Sequence, residues 1–204
     1  MRNFWLCSTV CVLLGGAVGV AGAAPLNLTQ SYPDLAVFNV STSYDADGTH
    51  FTAQGDVNQF TLADGVTWYT VVNTTMSLDA QVDNDGQLVS GTLTVQGVIP
   101  GLGLVPDMLL LSADLTAFGF SGSGESTLFE FLADPDGGAL ETYFDPDLGV
   151  VLDPGTTTYS ETTTFTVDFC GSDGRADIFV PEPATLVLLA GGLLARAIRR
   201  RRHR

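Results

Sequence analysis

Four aspartate pairs, Asp45/Asp47, Asp83/Asp85, Asp134/Asp136 and Asp145/Asp147, set carboxylates two residues apart, as calcium loops do with their hard oxygen donors. The first three pairs are followed directly by glycine. None completes an EF-hand. With Gly86 at loop position 6, position 1 is Gln81 and position 12 is Thr92, where that loop requires a bidentate Glu. The same frame around Gly48 runs from Ser43 to Gln54. Asp-Gly also serves polar hairpin turns, because both residues tolerate positive φ. Weak calcium binding at Asp45, Asp47, Asp83, Asp85, Asp134 and Asp136 therefore stands open beside plain turns, and no other cofactor is expected.

Hydrolytic chemistry finds little to work with. A serine nucleophile needs a base, and the body of the chain offers only His50, just after the Asp47-Gly48-Thr49 turn, where an exposed histidine is expected. Gly119 to Gly124 reads as a flexible loop, since Ser123 takes the place of the last glycine in Gly-x-Ser-x-Gly. Histidine and cysteine are too few for zinc. With 23 acidic residues, chance proximity deprives any carboxylate pair of meaning as an acid–base couple. Cys170 is the one cysteine left once residues 1–23 are set aside, so it is free, buried or paired between chains, and burial is expected. Asn27, Asn39 and Asn73 open Asn-x-Ser/Thr sequons, a pattern that Thr-rich chains meet by chance. The Thr-rich run 156–164 reads as a strand edge, with O-glycans as the alternative. Catalytic residues are expected to be absent.

These residues need a frame, and the frame is β. Residues 24–179 contain no Lys, many Thr and Val, and frequent Gly or Asp-Gly punctuation, which opposes helix and favours strands. Alternating segments predict three hairpins: 36–44 with 50–57, 77–82 with 92–96, and 127–133 with 139–144 around Asp134-Pro135-Asp136-Gly137-Gly138. Further strands are predicted at 66–72, 109–120, 149–152 and 162–169, with 97–107 as a connection. Short strands without helical periods predict an all-β domain, an antiparallel β-sandwich of jelly-roll or Greek-key type in preference to a barrel. Its core candidates are Phe38, Phe51, Trp68, Leu78, Val82, Leu93, Val95, Leu111, Phe118, Phe129, Phe131, Phe165 and Val167.

Charge divides the chain. Its formal net charge is -15, yet all 23 acids lie between residues 24 and 183, where Arg175 is the one basic residue. Seven arginines stand at the ends: Arg2, then Arg196, Arg199, Arg200, Arg201, Arg202 and Arg204. An acidic body excludes a nucleic-acid surface. Arg2, the apolar run to Val20 and the small residues Ala21, Ala23 and Ala24 have the order of a secretory signal peptide, with cleavage expected after Ala23 and a signal helix over 1–23. At the other end Pro181-Glu182-Pro183 is followed by an apolar stretch over 184–195 and an Arg-rich tail. The stretch is 12 residues, extending towards residue 198 if Arg196 snorkels, against about 20 for a comfortable span. It predicts a marginal transmembrane helix, with the basic tail held on the cytoplasmic side.

Residues 180–204, in the order Pro181, Glu182, Pro183, short apolar helix and Arg-rich end, resemble the PEP-CTERM sorting signal of exported bacterial proteins. The resemblance implies handling by an exosortase, a membrane-embedded cysteine transpeptidase-like enzyme, after passage through the general secretion machinery. Pro181, Glu182 and Pro183 would be recognition residues. It also implies an origin in bacteria that make exopolysaccharide and biofilm matrix. The expected organisation is a signal peptide (1–23), an acidic β domain (24–179) and a sorting signal (180–204), which touches the inner membrane through 184–198 before processing. The expected product is a non-enzymatic cell-surface or matrix protein associated with exopolysaccharide, and the alternative is a calcium- or carbohydrate-binding adhesion module that uses acidic turns and exposed aromatics such as Trp68 and Tyr69.

Overall fold

The structure is a computed structural model and describes residues 24–104, 108–161 and 164–182. The signal helix expected over 1–23 and the transmembrane helix expected from 184 lie outside these residues. Among the described residues no helix is long and apolar enough to cross a membrane.

The described residues form ten strands: β1 (Asp34–Asp45), β2 (His50–Thr61), β3 (Trp68–Thr70), β4 (Val72–Val82), β5 (Leu88–Val98), β6 (Met108–Ser121), β7 (Leu128–Gly137), β8 (Leu148–Asp153), β9 (Thr156–Thr157) and β10 (Phe169–Phe179). A sandwich is not what they build. Eight of them pair antiparallel in the order β1-β10-β8-β7-β6-β5-β4-β2, and β2 pairs back to β1, so the sheet closes into a barrel. The short β3 and β9 attach to β2 and β10. The same inside–outside alternation serves a sandwich and a barrel; closure depends on β1 meeting β10 across the whole chain, from Asp34↔Phe179 to Tyr44↔Phe169. The connection after β5 joins it to its antiparallel neighbour β6 and begins with a 3-10 turn at Pro100–Leu102.

An eight-stranded barrel has an interior just wide enough for side chains to fill, and here aromatic rings fill it. Phe51 on β2 lies 5.2 Å from Phe129, 5.5 Å from Phe131 and 6.1 Å from Phe169, ring centre to ring centre. Tyr159 and Phe165 come from the chain between β9 and β10 and close one mouth, the distal mouth, against Phe120 and Phe129. Such pairs add about 0.5–1.5 kcal/mol each beyond their area burial. The opposite, exit mouth is closed by a helical turn, α1 (Glu141–Phe144), where Phe144 and the preceding Leu140 are fully buried and Phe144 packs at 6.2 Å from Phe60. Truncation of Phe51 to Ala would cost about 3–5 kcal/mol.

Three core candidates are misplaced. Phe38 shares the parity of Val40 in a regular strand, but the β1 register shifts between them, where Asn39 takes φ 53°. The bulge turns Phe38 outward, half-buried beneath the Arg175 guanidinium at 5.5 Å. Trp68 is 59% exposed on the edge piece β3, and Val167 is 57% exposed in the loop before β10. The segment 139–144 contains α1 in place of a strand, and β7 pairs with β6 and β8. The strand predicted at 162–169 gives way to β10, which starts at Phe169; residues 162–163 are outside the described set.

Candidate functional site

The chain leaves the barrel at the exit mouth. There the ends of five strands stand in line, Trp68 opposite Thr61, Thr61 opposite Asp34, Asp34 opposite Phe179 and Phe179 opposite Gly149. Phe179 is fully buried, and the Val180 N–H donates to the Pro33 carbonyl at 3.3 Å. Pro181 carries no N–H, so strand pairing cannot continue through it. Pro181 is half-exposed and Glu182 exposed. The recognition segment thus begins two residues after the last barrel strand; Pro183, Arg196, Arg199, Arg200, Arg201 and Arg202 fall outside the described residues.

The first described residues, from Ala24, run along the outer wall towards the same mouth. Glu130, on β7 between Phe129 and Phe131, is buried although it points out of the barrel. Its carboxylate accepts the backbone N–H groups of Leu26 at 2.7 Å, Asn27 at 3.1 Å and Leu28 at 2.9 Å. Asn27 adopts φ 55°, the left-handed conformation that lets successive N–H groups converge on one anion. The neighbouring β6 residue, Gly119, allows the close approach: a Cβ there would stand 2.5 Å from the Ala24 carbonyl oxygen. Residues 24–28 therefore form a strap that begins at the expected cleavage point, while Ala21 and Ala23 lie outside the described residues. Nothing in the sequence marked Glu130, because an acid between two core phenylalanines reads as a solvent-facing strand position.

The aspartates expected as metal ligands are separated by the fold. Asp45, Asp47, Asp83 and Asp85 lie on turns at the distal mouth, whereas Asp134 and Asp136 belong to the exit-side end of β7, where a register shift replaces the expected hairpin turn. The carboxylates serve local structure. Asp45 Oδ1 accepts the N–H groups of Asp47 and Gly48 at 3.1 and 3.2 Å, Asp83 Oδ1 accepts those of Asp85 and Gln87 at 3.0 and 2.8 Å, and Asp136 accepts the Ser112 hydroxyl. Among the described residues no three acidic, His or Cys side chains are grouped to hold one ion.

Electrostatics follows burial. Burial pushes the Tyr44 hydroxyl up to about 12, with Asp83, Glu161, Asp45 and Asp168 adding in that order. Its proton is donated to the Val82 carbonyl at 3.0 Å. Tyr159 is raised by burial and then by Glu161. For Glu161, burial acts upward, but hydrogen bonds from Thr166, Thr164 and Val167 outweigh it and hold the carboxyl below its ordinary range. Asp177 is raised by burial and by Asp34, with Arg175 opposing.

The remaining candidates are surface features. His50 Nε2 lies 3.0 Å from Asp79 Oδ1, and both side chains are exposed. Cys170 is exposed; alternation on β10 puts Phe169 inside and Cys170 outside, which corrects the expectation of burial. All three sequon asparagines have left-handed backbone, at φ 55°, 53° and 51° for Asn27, Asn39 and Asn73. Asn is the side chain that best tolerates this conformation after Gly, so backbone geometry accounts for their presence. In the Thr-rich run, β9 pairs with β10 and Tyr159 is buried.

A family model for the PEP-CTERM protein-sorting motif matches residues 179–202. No curated protein and no solved structure matches the chain.

Proposed function

We propose that this chain, which carries a PEP-CTERM sorting motif implying export and exosortase handling, delivers a non-enzymatic acidic barrel to the cell surface or extracellular matrix, where it associates with exopolysaccharide. The observation that carries the reading is the join between barrel and signal: β10 ends at Phe179 and the Pro-Glu-Pro segment starts at Pro181. Cleavage at or near that segment would remove the helix and basic tail without cutting any barrel strand. The aromatic filling of the interior supports a structural role, since ligand sites are usually concave pockets. The net -22 of residues 24–183 supports a hydrated product that resists self-association.

The test is substitution of Pro181, Glu182 and Pro183 by Ala in a host that holds the matching exosortase. The variant is expected to stay in the membrane fraction at full C-terminal length while the parent is processed. Equal processing of both would overturn the assignment of the recognition residues.

A further inference from the structure

The large apolar side chains left exposed are distributed unevenly. Tyr32, Val66, Trp68, Val72, Leu109 and Tyr143 all stand at the exit end, against Val89, Leu128 and Val167 at the distal end. The aromatic members, Tyr32 at 48%, Trp68 at 59% and Tyr143 at 39% exposure, are all at the exit end. Tyr32 lies against the turn that presents Val66, since a Cβ on Gly65 would meet its ring at 2.8 Å. That turn is held by Asp64, whose carboxylate accepts the N–H groups of Val66 and Thr67 and the Thr67 hydroxyl. Trp68 opens β3 beside Thr61, and the Tyr143 ring packs edge-on to Phe60 at 5.4 Å. The rim is thus a built surface, with the Tyr32 and Tyr143 rings backed by their neighbours and Trp68 placed by strand pairing.

Where the chain goes next identifies what this rim faces. Between Phe179 and Ala184, where the apolar stretch begins, four residues intervene, so the Cα-to-Cα reach is about 17 Å fully extended. The sorting motif implies a membrane-anchored C-terminus, so the exit end must lie beside the bilayer while the distal end lies away from it. Tyr and Trp favour the headgroup level because each joins an apolar body to a polar tip. Charge offers no alternative attraction: the exit end carries Asp64, Glu141, Asp145 and Asp147, and among the described residues its nearest cation is Arg175. We propose that Tyr32, Val66 and Trp68 form a lipid-docking rim that holds the barrel upright on the membrane surface until the sorting signal is removed.

The proposal rests on the anchored sorting signal, and its test needs no exosortase. The full chain carries two tryptophans, Trp5 and Trp68, so Trp5→Phe leaves Trp68 as the sole reporter. This variant would be reconstituted in phosphatidylcholine vesicles, with and without lipid brominated near the headgroup. Trp68 emission is expected to shift to the blue and lose about half its intensity in the brominated vesicles. A second variant places a Gly-Ser linker of about ten residues, on the order of 17 Å in root-mean-square reach, between Val180 and Pro181. Quenching that survives the linker, and disappears when Tyr32→Ser and Val66→Ser are added, supports docking. Quenching lost with the linker alone would mean passive nearness and overturn the proposal, as would Trp68 emission that answers to soluble polysaccharide and not to lipid. If the chain fails to float with the vesicles, the anchor reading and the docking rim fall together; if it floats with Trp68 unquenched, only the rim falls.

Discussion

The Glu130 carboxylate accepts the Leu26 backbone N–H at 2.7 Å across 104 residues of sequence. It is the shortest of three such bonds from consecutive residues, and it ties the segment that precedes β1 to the outer face of β7.

Glu130→Ala is expected to lower stability by about 1.5–3 kcal/mol, the usual worth of a hydrogen bond to a charged group, since the three bonds act as one unit. Glu130→Gln should recover part of that loss. Urea unfolding gives the magnitude, and hydrogen exchange at residues 26–28 gives the location. Unchanged protection there in the Ala variant would show that the strap is held by something else.

Asn39 is expected to matter as backbone, not as a glycan site. Asn39→Ala forces a β-carbon into the left-handed region and should cost about 1–2 kcal/mol, whereas Asn39→Gly should be nearly neutral. Ser41→Ala destroys the sequon while keeping Asn39, and should alter neither melting temperature nor the mass of the exported protein beyond the substitution. Loss of a glycan mass in the Ser41 variant would contradict this.

Asp177 and Glu161 should pull the pH profile in opposite directions. Asp177 is raised in the folded state, so the fold binds its proton more tightly than the unfolded chain does. Its contribution is greatest in acid and is lost as pH rises from the ordinary carboxyl range through the raised value. Asp177→Asn should therefore gain on the parent as pH increases through that window. Glu161 is lowered, so its contribution is present above the ordinary carboxyl range and is lost as pH falls through the lowered value; Glu161→Gln should be less stable than the parent at neutral pH, with the gap closing in acid. Thermal melts of both variants across the acid range read the two signs directly.

Salt should stabilise the barrel without regard to the cation. With one Arg against 23 acids between residues 24 and 183, screening relieves self-repulsion. The Asp45, Asp83 and Asp136 carboxylates are already engaged in local hydrogen bonds. Melts in calcium and in magnesium at equal ionic strength are expected to agree. A specific site filled to 100 times its dissociation constant would add about 2.7 kcal/mol for calcium alone, and such a difference would establish a calcium site.

The strands legible in sequence are those with unbroken alternation up to a glycine-marked turn, such as the second half of β4, where the sequence predicts 77–82 and burial alternates from Met76 to Val82. What hid the barrel was its last stave. Asp173-Gly174-Arg175 in the middle of β10 reads as a turn, yet Gly174 is needed because a Cβ there would meet the Asp153 carbonyl at 2.4 Å. Without β10 nothing joins β1 to β8, the sheet stays open, and a sandwich is the natural inference. Phe38 was misplaced because a one-residue bulge reverses the parity of everything before it. Of the exit-end features, Pro181 and Glu182 were plain from their motif. The lipid-facing rim was not, because exposure of Trp68 depends on β3 being an edge piece outside the barrel wall, a property of topology alone.

The acidic barrel is predicted to part from both of its ends, and the intact mass of the exported protein reads this out. A product that begins at Ala24, ends within or close to Pro181–Pro183 and lacks Arg196 to Arg204 is the predicted result. An exported species that still ends at Arg204 would contradict the account.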